Sequence, residues 1–359
     1  MGKNIIKMSP EGQLRPKNAD LNTDELMSVR GAAFKEKYVL YYKDLCDAAG
    51  IDYSKFVEYS LKFPRKSIRV NTLKTTVAEL KKRLQENWNL EPIPWCKEGF
   101  WIEHKGVLRA NEETGEEELE KRRDVGNLLE HSMGHIYLQE ASSMTPPIVL
   151  EPKPGETILD MAASPGSKAT QIGMYMQNKG LFIANDYKAD RMSPLSLNLQ
   201  RCGVSNCIET LMQGHWFANL GETFDRILVD APCSGTGTVR KSIKTLQLWN
   251  PTMISRLSGT QKQLISAAFK CLKPGGTMVY STCSVEPEEN EAVITHLLES
   301  EYAAGGGAKL LPINLNIKRS PAITEFKGQK YAPEVKNCLR IWPQDNDTDG
   351  FFVAKIKKM

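Results

Sequence analysis

The chain is 359 residues long, with 41% hydrophobic and 25% charged residues, six tryptophans and a formal net charge of +4. That length exceeds the roughly 100–200 residues usual for one domain, so two domains are expected, and the composition excludes a disordered or low-complexity protein. No apolar run approaches the about 18 residues of a membrane span. The N-terminus has neither the apolar core of a secretory signal nor the Arg/Ser-rich pattern of a transit peptide, which gives the expectation of a cytoplasmic protein. Eight cysteines, at 46, 96, 202, 207, 233, 271, 283 and 338, form no CxxC pair, and His131 and His135 lack the glutamate of a zinc-protease helix. No metal is expected.

In chain order, apolar positions three and four apart predict helix within residues 23–49, with Gly50 as a stop. The segments SIRVNTLK (67–74) and FWIEHK (100–105) alternate like short strands. Residues 62–83 carry eight bases, Lys62, Arg65, Lys66, Arg69, Lys74, Lys81, Lys82 and Arg83, against the single acid Glu79, a concentrated positive patch. The six glutamates within 112–120 read as a solvated loop or exposed helix start. Together these predict a small α+β N-terminal domain over residues 1–135. From there strand and helix alternate: TILDMA (157–162), a helix from Ser167, LFIAND (181–186), a helix from Ala189, IETLMQ (208–213), FDRILVD (224–230), a helix from Thr252, GTMVYST (276–282) and a helix from Glu288. This is a doubly wound, Rossmann-like α/β signature over residues 136–359.

The first strand runs into Ser164-Pro165-Gly166-Ser167-Lys168 before a helix, a loop of small residues that lets backbone approach a ligand at a helix N-terminus. It has neither GxGxxG spacing nor a GKS/T ending, which argues against NAD and ATP. Asp186 ends the next strand, where such folds hold a ribose, although it could equally cap the following helix. Asp230 ends the fourth strand and is followed by Cys233; the fifth ends at Cys283. Two thiols at the carboxyl ends of strands expected to be neighbours point to thiol catalysis rather than a disulfide in a reducing compartment. The other six cysteines read as small core residues.

The motifs DMAASPGSK (160–168), DAPCSGTG (230–237), YSTCSVEPEENE (280–291) and DGFFVAK (349–355) resemble the Nop/Sun family of RNA cytosine-5 methyltransferases. The resemblance extends over about residues 65–359 and includes RVNTLK (69–74), YLQEASSM (137–144), Trp249 and Gln261. It implies a methyltransferase domain that uses S-adenosylmethionine, with Ala163, Ser164, Pro165, Gly166, Ser167 and Lys168 around its methionine end. Asp186 and Arg191 would lie near its ribose and Asp230 near the reacting centre. It further implies Cys283 as nucleophile, Cys233 in product release and Asn290 as a bracket of the Cys283 loop, which could also simply start a helix. Ser164, Ala169 and Gln213 depart from the family pattern; Gln213 stands where an aspartate usually meets the adenine. Arg69, Lys74, Arg240, Lys241 and Lys244 are candidate phosphate contacts, and Trp88, Trp95 and Trp101 are either stacking surfaces or core. The expected product is 5-methylcytidine, in tRNA ahead of rRNA. The rivals are a DNA cytosine-5 methyltransferase, disfavoured by the second cysteine, and a non-catalytic RNA-binding assembly factor.

Overall fold

A computed structural model describes residues 23–31, 34–110, 117–120 and 125–359, so most of the glutamate-rich stretch lies outside the described residues. The chain opens with α1 (Thr23–Arg30), α2 (Glu36–Ala49) and α3 (Tyr53–Leu61). Gly50, at φ +66°, terminates α2 by donating to Asp47 O, and Asp52 caps α3 through Ser54 N at 2.8 Å. Sequence grouped these helices with the strands after them. Instead, the buried face of α2 (Tyr38, Tyr41, Tyr42, Leu45, Cys46) joins the core of the C-terminal domain against Trp249, Trp342 and Phe326. Tyr38 meets Trp249 edge-on at 5.3 Å, and Phe56 of α3 meets Trp342 at the same distance. Trp249 and Trp342 supply the ring surface that covers these helices.

Next come β1 (Ser67–Val70), α4 (Val77–Leu84), β2 (Trp88–Pro92), β3 (Gly99–His104), the hairpin β4 (Val107–Ala110) and β5 (Glu117–Glu120), α5 (Leu129–Ser132) and β6 (Ile136–Leu138). They form a four-stranded antiparallel sheet in the order β2-β3-β1-β6, which takes in three residues beyond 135. Its core is Leu80 and Leu84 of α4 against Trp88, Phe100 and Ile102. A Thr76–Glu79 capping box starts α4.

The second body contains α6 (Thr145–Leu150), β7 (Thr157–Asp160), α7 (Ser167–Met176), β8 (Leu181–Asp186), α8 (Ala189–Cys202), β9 (Cys207–Leu211), β10 (Phe224–Asp230), α9 (Lys244–Leu248), α10 (Pro251–Cys271), β11 (Leu272–Thr282), α11 (Glu291–Ala303), β12 (Ala308–Leu311), β13 (Glu325–Phe326), β14 (Gln329–Lys330), β15 (Leu339–Ile341), α12 (Pro343–Asn346) and β16 (Phe351–Lys358). The main sheet runs β12-β16-β11-β10-β7-β8-β9, with β7 to β11 parallel and β16 antiparallel between β11 and β12. The chain leaves β7 toward β8 on one side and returns as β10 on the other, so a crevice opens at the carboxyl ends of β7 and β10. Both faces of the sheet are covered, one by a core including Ile254, Ile265 and Phe269 of α10, the other by Ile172 and Met176 of α7 and Leu195 and Leu199 of α8. That is why these strands read as nearly unbroken apolar runs. No helix among the described residues is long and apolar enough to cross a membrane.

A fully buried ion pair braces the strand ends. Arg340 of β15 holds Glu291, the first residue of α11, through Nε to Oε1 at 2.9 Å and Nη2 to Oε2 at 2.5 Å, and its Nη1 donates to Val285 O at 2.7 Å. Removing one partner strands a buried charge. Arg340→Ala is expected to lower unfolding free energy by about 3–5 kcal/mol in chemical denaturation, and adding Glu291→Leu to Arg340→Met should recover most of the loss.

Candidate active site

The loop after β7 is shaped by small residues. Gly166 sits at φ +107°, a conformation costly for a side-chain-bearing residue, and a Cβ there would lie 3.3 Å from Asn198 Cβ. Ser164 Oγ donates to Arg191 O at 2.7 Å, Arg191 Nη2 donates back to Ser164 O, and Ala163 N donates to Asn185 O at 2.7 Å. The loop is thereby tied to β8 and α8. At the end of β8, Asp186 is buried; its Oδ1 accepts from Lys188 N at 3.2 Å, while Oδ2 has no hydrogen-bond donor and lies 3.5 Å from Arg191 Nε. Asp160 Oδ2 is likewise buried without a donor. The donor-less Asp186 Oδ2, buried near a glycine-bearing helix start, fits the hydroxyl donors of the S-adenosylmethionine ribose. Gln213, after β9, is exposed, its main-chain carbonyl accepting from Trp216 N at 3.0 Å.

Asp230, at the end of β10, accepts from Lys168 Nζ at 2.8 Å and from Ser281 Oγ at 2.7 Å. Burial opposes the Lys168 charge, but Asp230, with Cys283 and Asp160 beside it, holds the pKa above the ordinary lysine value. Burial, reinforced by Asp230, pushes Asp160 up to about 8. Sequence placed Lys168 with the cofactor loop; its partner on β10 could not be read from spacing alone.

Cys233 and Cys283 lie with their sulfurs 3.3 Å apart. They meet because β10 and β11 are adjacent and parallel, with Asp230 opposite Ser281. Gly237 N donates to Cys283 O at 2.9 Å, and Gly350 N to Gly237 O at 2.9 Å. A Cβ on Gly237 would fall 2.3 Å from Gly350 O, so only glycine permits three strand-end loops to close here. The hydrogen bond to Cys283, then burial, pushes the Cys233 thiol well above its ordinary value. Either sulfur can donate in this contact, and the upward shift favours the thiol form of Cys233.

Behind the thiols lies a set of buried acids that sequence reading did not single out. Glu289 Oε2 accepts from Ser234 N at 3.0 Å and Gln261 Nε2 at 2.8 Å, while its Oε1 is 3.1 Å from Ser284 Oγ. Burial, with neighbouring Glu286, pushes Glu289 up to about 7. Asn290 accepts from Thr282 Oγ1 at 2.6 Å and donates to Ser284 O at 3.0 Å, one residue before α11 starts at Glu291 rather than at 288. The available signal was four acids within 286–291 directly after a cysteine turn and before an apolar helix.

The candidate phosphate contacts divide. Arg69 is fully buried, donating to Ser167 O at 2.8 Å, Thr170 Oγ1 at 2.9 Å and Gln139 Oε1; it bolts the small sheet to α7 and is not a phosphate contact. Arg240 is also buried, on Thr348 O at 2.9 Å, Phe63 O at 3.1 Å and Asp347 Oδ1 at 2.7 Å, and is not a phosphate contact either. Both guanidiniums are buried and turned onto internal acceptors, so neither is open to an RNA phosphate. Lys74 is exposed, though its Nζ caps Met133 O and Arg201 O at 3.0 and 2.7 Å. Lys241 pairs with Asp349 Oδ2 at 2.5 Å, and Lys244 is exposed. Trp88, Trp95 and Trp101 are buried core residues. Among the described residues no group of three His, Cys, Asp or Glu side chains could hold a metal ion.

A sheet with this strand order, a glycine-bearing loop after β7 and paired thiols after β10 and β11 defines an S-adenosylmethionine-dependent RNA cytosine-C5 methyltransferase. The chain belongs to the family described as 16S rRNA methyltransferase RsmB/F, matched over residues 147–357, within the Nop/Sun group; residues 34–141 match the N-terminal domain of 16S rRNA methyltransferase RsmF. It is 48% identical over 308 residues to the tRNA (cytosine(49)-C(5))-methyltransferase of Pyrococcus abyssi, covering 86% of this chain and 92% of that one. It is 40% identical to ribosomal RNA small subunit methyltransferase F of Shewanella loihica, covering 88% of this chain and 61% of that one. Among solved structures, a methyltransferase homolog from Pyrococcus horikoshii matches with TM-score 0.76 and 35% identity over 94% of this chain and 99% of the other. NSun6 from the same organism, with SFG, matches at TM-score 0.75 and 25% identity over 91% and 99%.

Asp160 sets a pH dependence. Its unfolded pKa is near 3.8 and its folded value about 8, so the native state retains a proton that the unfolded chain releases, and stability falls as pH rises from about 4 to 8. Asp160→Asn removes this penalty, and its melting-temperature advantage over wild type is expected to be larger at pH 8 than at pH 5.

Proposed function

We propose that the chain makes 5-methylcytidine in tRNA through a covalent Cys283–cytosine adduct. The observation carrying the chemistry is the 3.3 Å thiol pair beside the Lys168–Asp230 ion pair. Carbon 5 of cytosine is a weak nucleophile. When the Cys283 thiolate bonds to carbon 6, the ring electrons move onto carbon 5, which can then take a methyl group; covalent catalysis splits one hard step into two. Asp230, bonded to Lys168 and Ser281, is placed to bind the cytosine amidine edge and offset charge developing on the ring. Cys233, beside Cys283, takes the carbon 5 proton as it passes its own proton to the departing Cys283 sulfur, which restores the 5,6 double bond and frees the product. S-adenosylmethionine, when bound, supplies the electrophilic methyl. Ala163, Ser164, Pro165, Gly166, Ser167 and Lys168 would surround its methionine end, Asp186 and Arg191 its ribose, Gln213 its adenine and Asp230 the reacting side. Because carbon 6 is unreachable in a stacked duplex, the target cytidine must be flipped or single-stranded. Lys74, Lys241 and Lys244 remain the phosphate contacts.

The tRNA reading rests on the 48% identity spanning 92% of a tRNA methyltransferase, against 61% coverage of the rRNA enzyme. The rRNA reading draws on both family descriptions, which name 16S rRNA. Methyl-labelled S-adenosylmethionine incubated with separate unmodified tRNA and rRNA pools, followed by nucleoside mass spectrometry, decides between them: labelled 5-methylcytidine is expected in tRNA. Label only in rRNA would reverse the preference, and label in neither would favour a non-catalytic assembly factor. Cys233→Ala is expected to accumulate a denaturation-resistant protein–RNA adduct on gels, while Cys283→Ala forms none; an adduct in the latter would invert the roles.

A further inference from the structure

The two cysteine turns share an anchor in the N-terminal helix. Glu286 is fully buried. Its Oε2 gathers donors from both turns: Thr236 Oγ1, with Ser234 Oγ at 3.3 Å, from the Cys233 side, and Ser284 Oγ at 2.7 Å with Val285 N at 3.2 Å from the Cys283 side. Its Oε1 takes a hydrogen bond from the hydroxyl of Tyr42, 244 residues earlier in the chain, its donor among the described residues. The Tyr42 ring is itself fixed, stacked at 4.0 Å on Tyr38 and at 5.5 Å on Phe56. A carboxylate whose second oxygen lost its donor in this buried site would turn, and the donors on Oε2 would follow it. Neighbouring Tyr41 makes the contrasting contact: its hydroxyl donates to Glu288 Oε2 at 2.7 Å, and neither cysteine turn bonds to that carboxylate.

We propose that Tyr42 is a positioning residue for methyl transfer, setting the register of Cys233 and Cys283 through Glu286, so that a helix outside the methyltransferase sheet controls the spacing of the two thiols. Tyr42 touches neither substrate nor cofactor in this scheme; it acts through the carboxylate. The inference rests on the reading of Cys233 and Cys283 as the reacting pair.

Tyr42→Phe keeps the ring and deletes only the hydroxyl, and Tyr41→Phe is its control. On whichever RNA pool the wild-type full-length chain methylates, Tyr42→Phe is expected to lower kcat by about tenfold or more with KM for S-adenosylmethionine unchanged, whereas Tyr41→Phe stays within about twofold of wild type. A second readout needs no RNA. Diamide, which takes up the two thiol hydrogens as the sulfur–sulfur bond forms, should link Cys233 to Cys283 at least several-fold more slowly in Tyr42→Phe than in wild type, followed by peptide mass spectrometry. Unchanged kcat and unchanged linking in Tyr42→Phe would overturn the proposal, as would equal losses of kcat in both variants accompanied by equal losses of melting temperature, which would mark general loosening of the tyrosine cluster. Should wild type methylate no RNA, the function proposed above fails while the linking rates still decide whether Tyr42 sets the thiol spacing.

Discussion

A buried carboxylate is tolerated only when donors surround it, and the architecture of this site follows from meeting that demand for Glu286 and Glu289. Glu286 draws donors from residues flanking both Cys233 and Cys283, and Glu289 takes Ser234 N while its Oε1 lies 3.1 Å from Ser284 Oγ. The two turns cannot separate without leaving acid oxygens unpaired, so the closeness of the sulfurs is a by-product of satisfying the acids beneath them. Parallel pairing of β10 with β11 brings the turns to the same edge of the sheet. The acids then set them within ångströms. The two thiols are thus supported from below by buried acids.

Arginine plays a second structural part. Arg69, Arg240 and Arg340 are among the largest fully buried side chains, and each joins segments distant in sequence through several acceptors at once. A planar, multi-donor cation suits this duty because one side chain can satisfy several carbonyls at a junction. The consequence for the small sheet is a firm seat: Arg69 reaches α7, Asn71 Nδ2 donates to both Gly134 O and Cys202 O at 2.8 Å, and Lys74 adds the carbonyl ending α8. The small sheet is thereby fixed to α7 and α8, the helices that flank the loop after β7.

The strands of the large sheet were legible because parallel strands covered on both faces must be apolar along their length, and their ends were marked by Asp160, Asp186 and Asp230. The thiol pair was legible for the same reason, since two cysteines at matching strand ends need only strand order to be brought together. What stayed hidden were contacts between segments far apart in the chain. Nothing local distinguishes Arg69, packed among internal acceptors, from Arg65 and Lys66 in the same basic run, and nothing near Tyr42 announces a carboxylate 244 residues away. The helical periodicity of residues 23–49 was visible, yet not the body it would pack on, because an amphipathic face specifies that it must be covered and not by what.

The docking of α2 and α3 on Trp249 and Trp342 has a consequence for how such a chain can be rearranged. A cut made just before the methyltransferase sheet would carry away the aromatic rings that roof one side of it, exposing two large indoles to water. Everything upstream of the sheet therefore cannot be swapped as one cassette. A hybrid would have to retain the opening helices with the methyltransferase half and exchange only the small antiparallel sheet inserted between them, so the unit of inheritance is a split domain with a second sheet threaded through it.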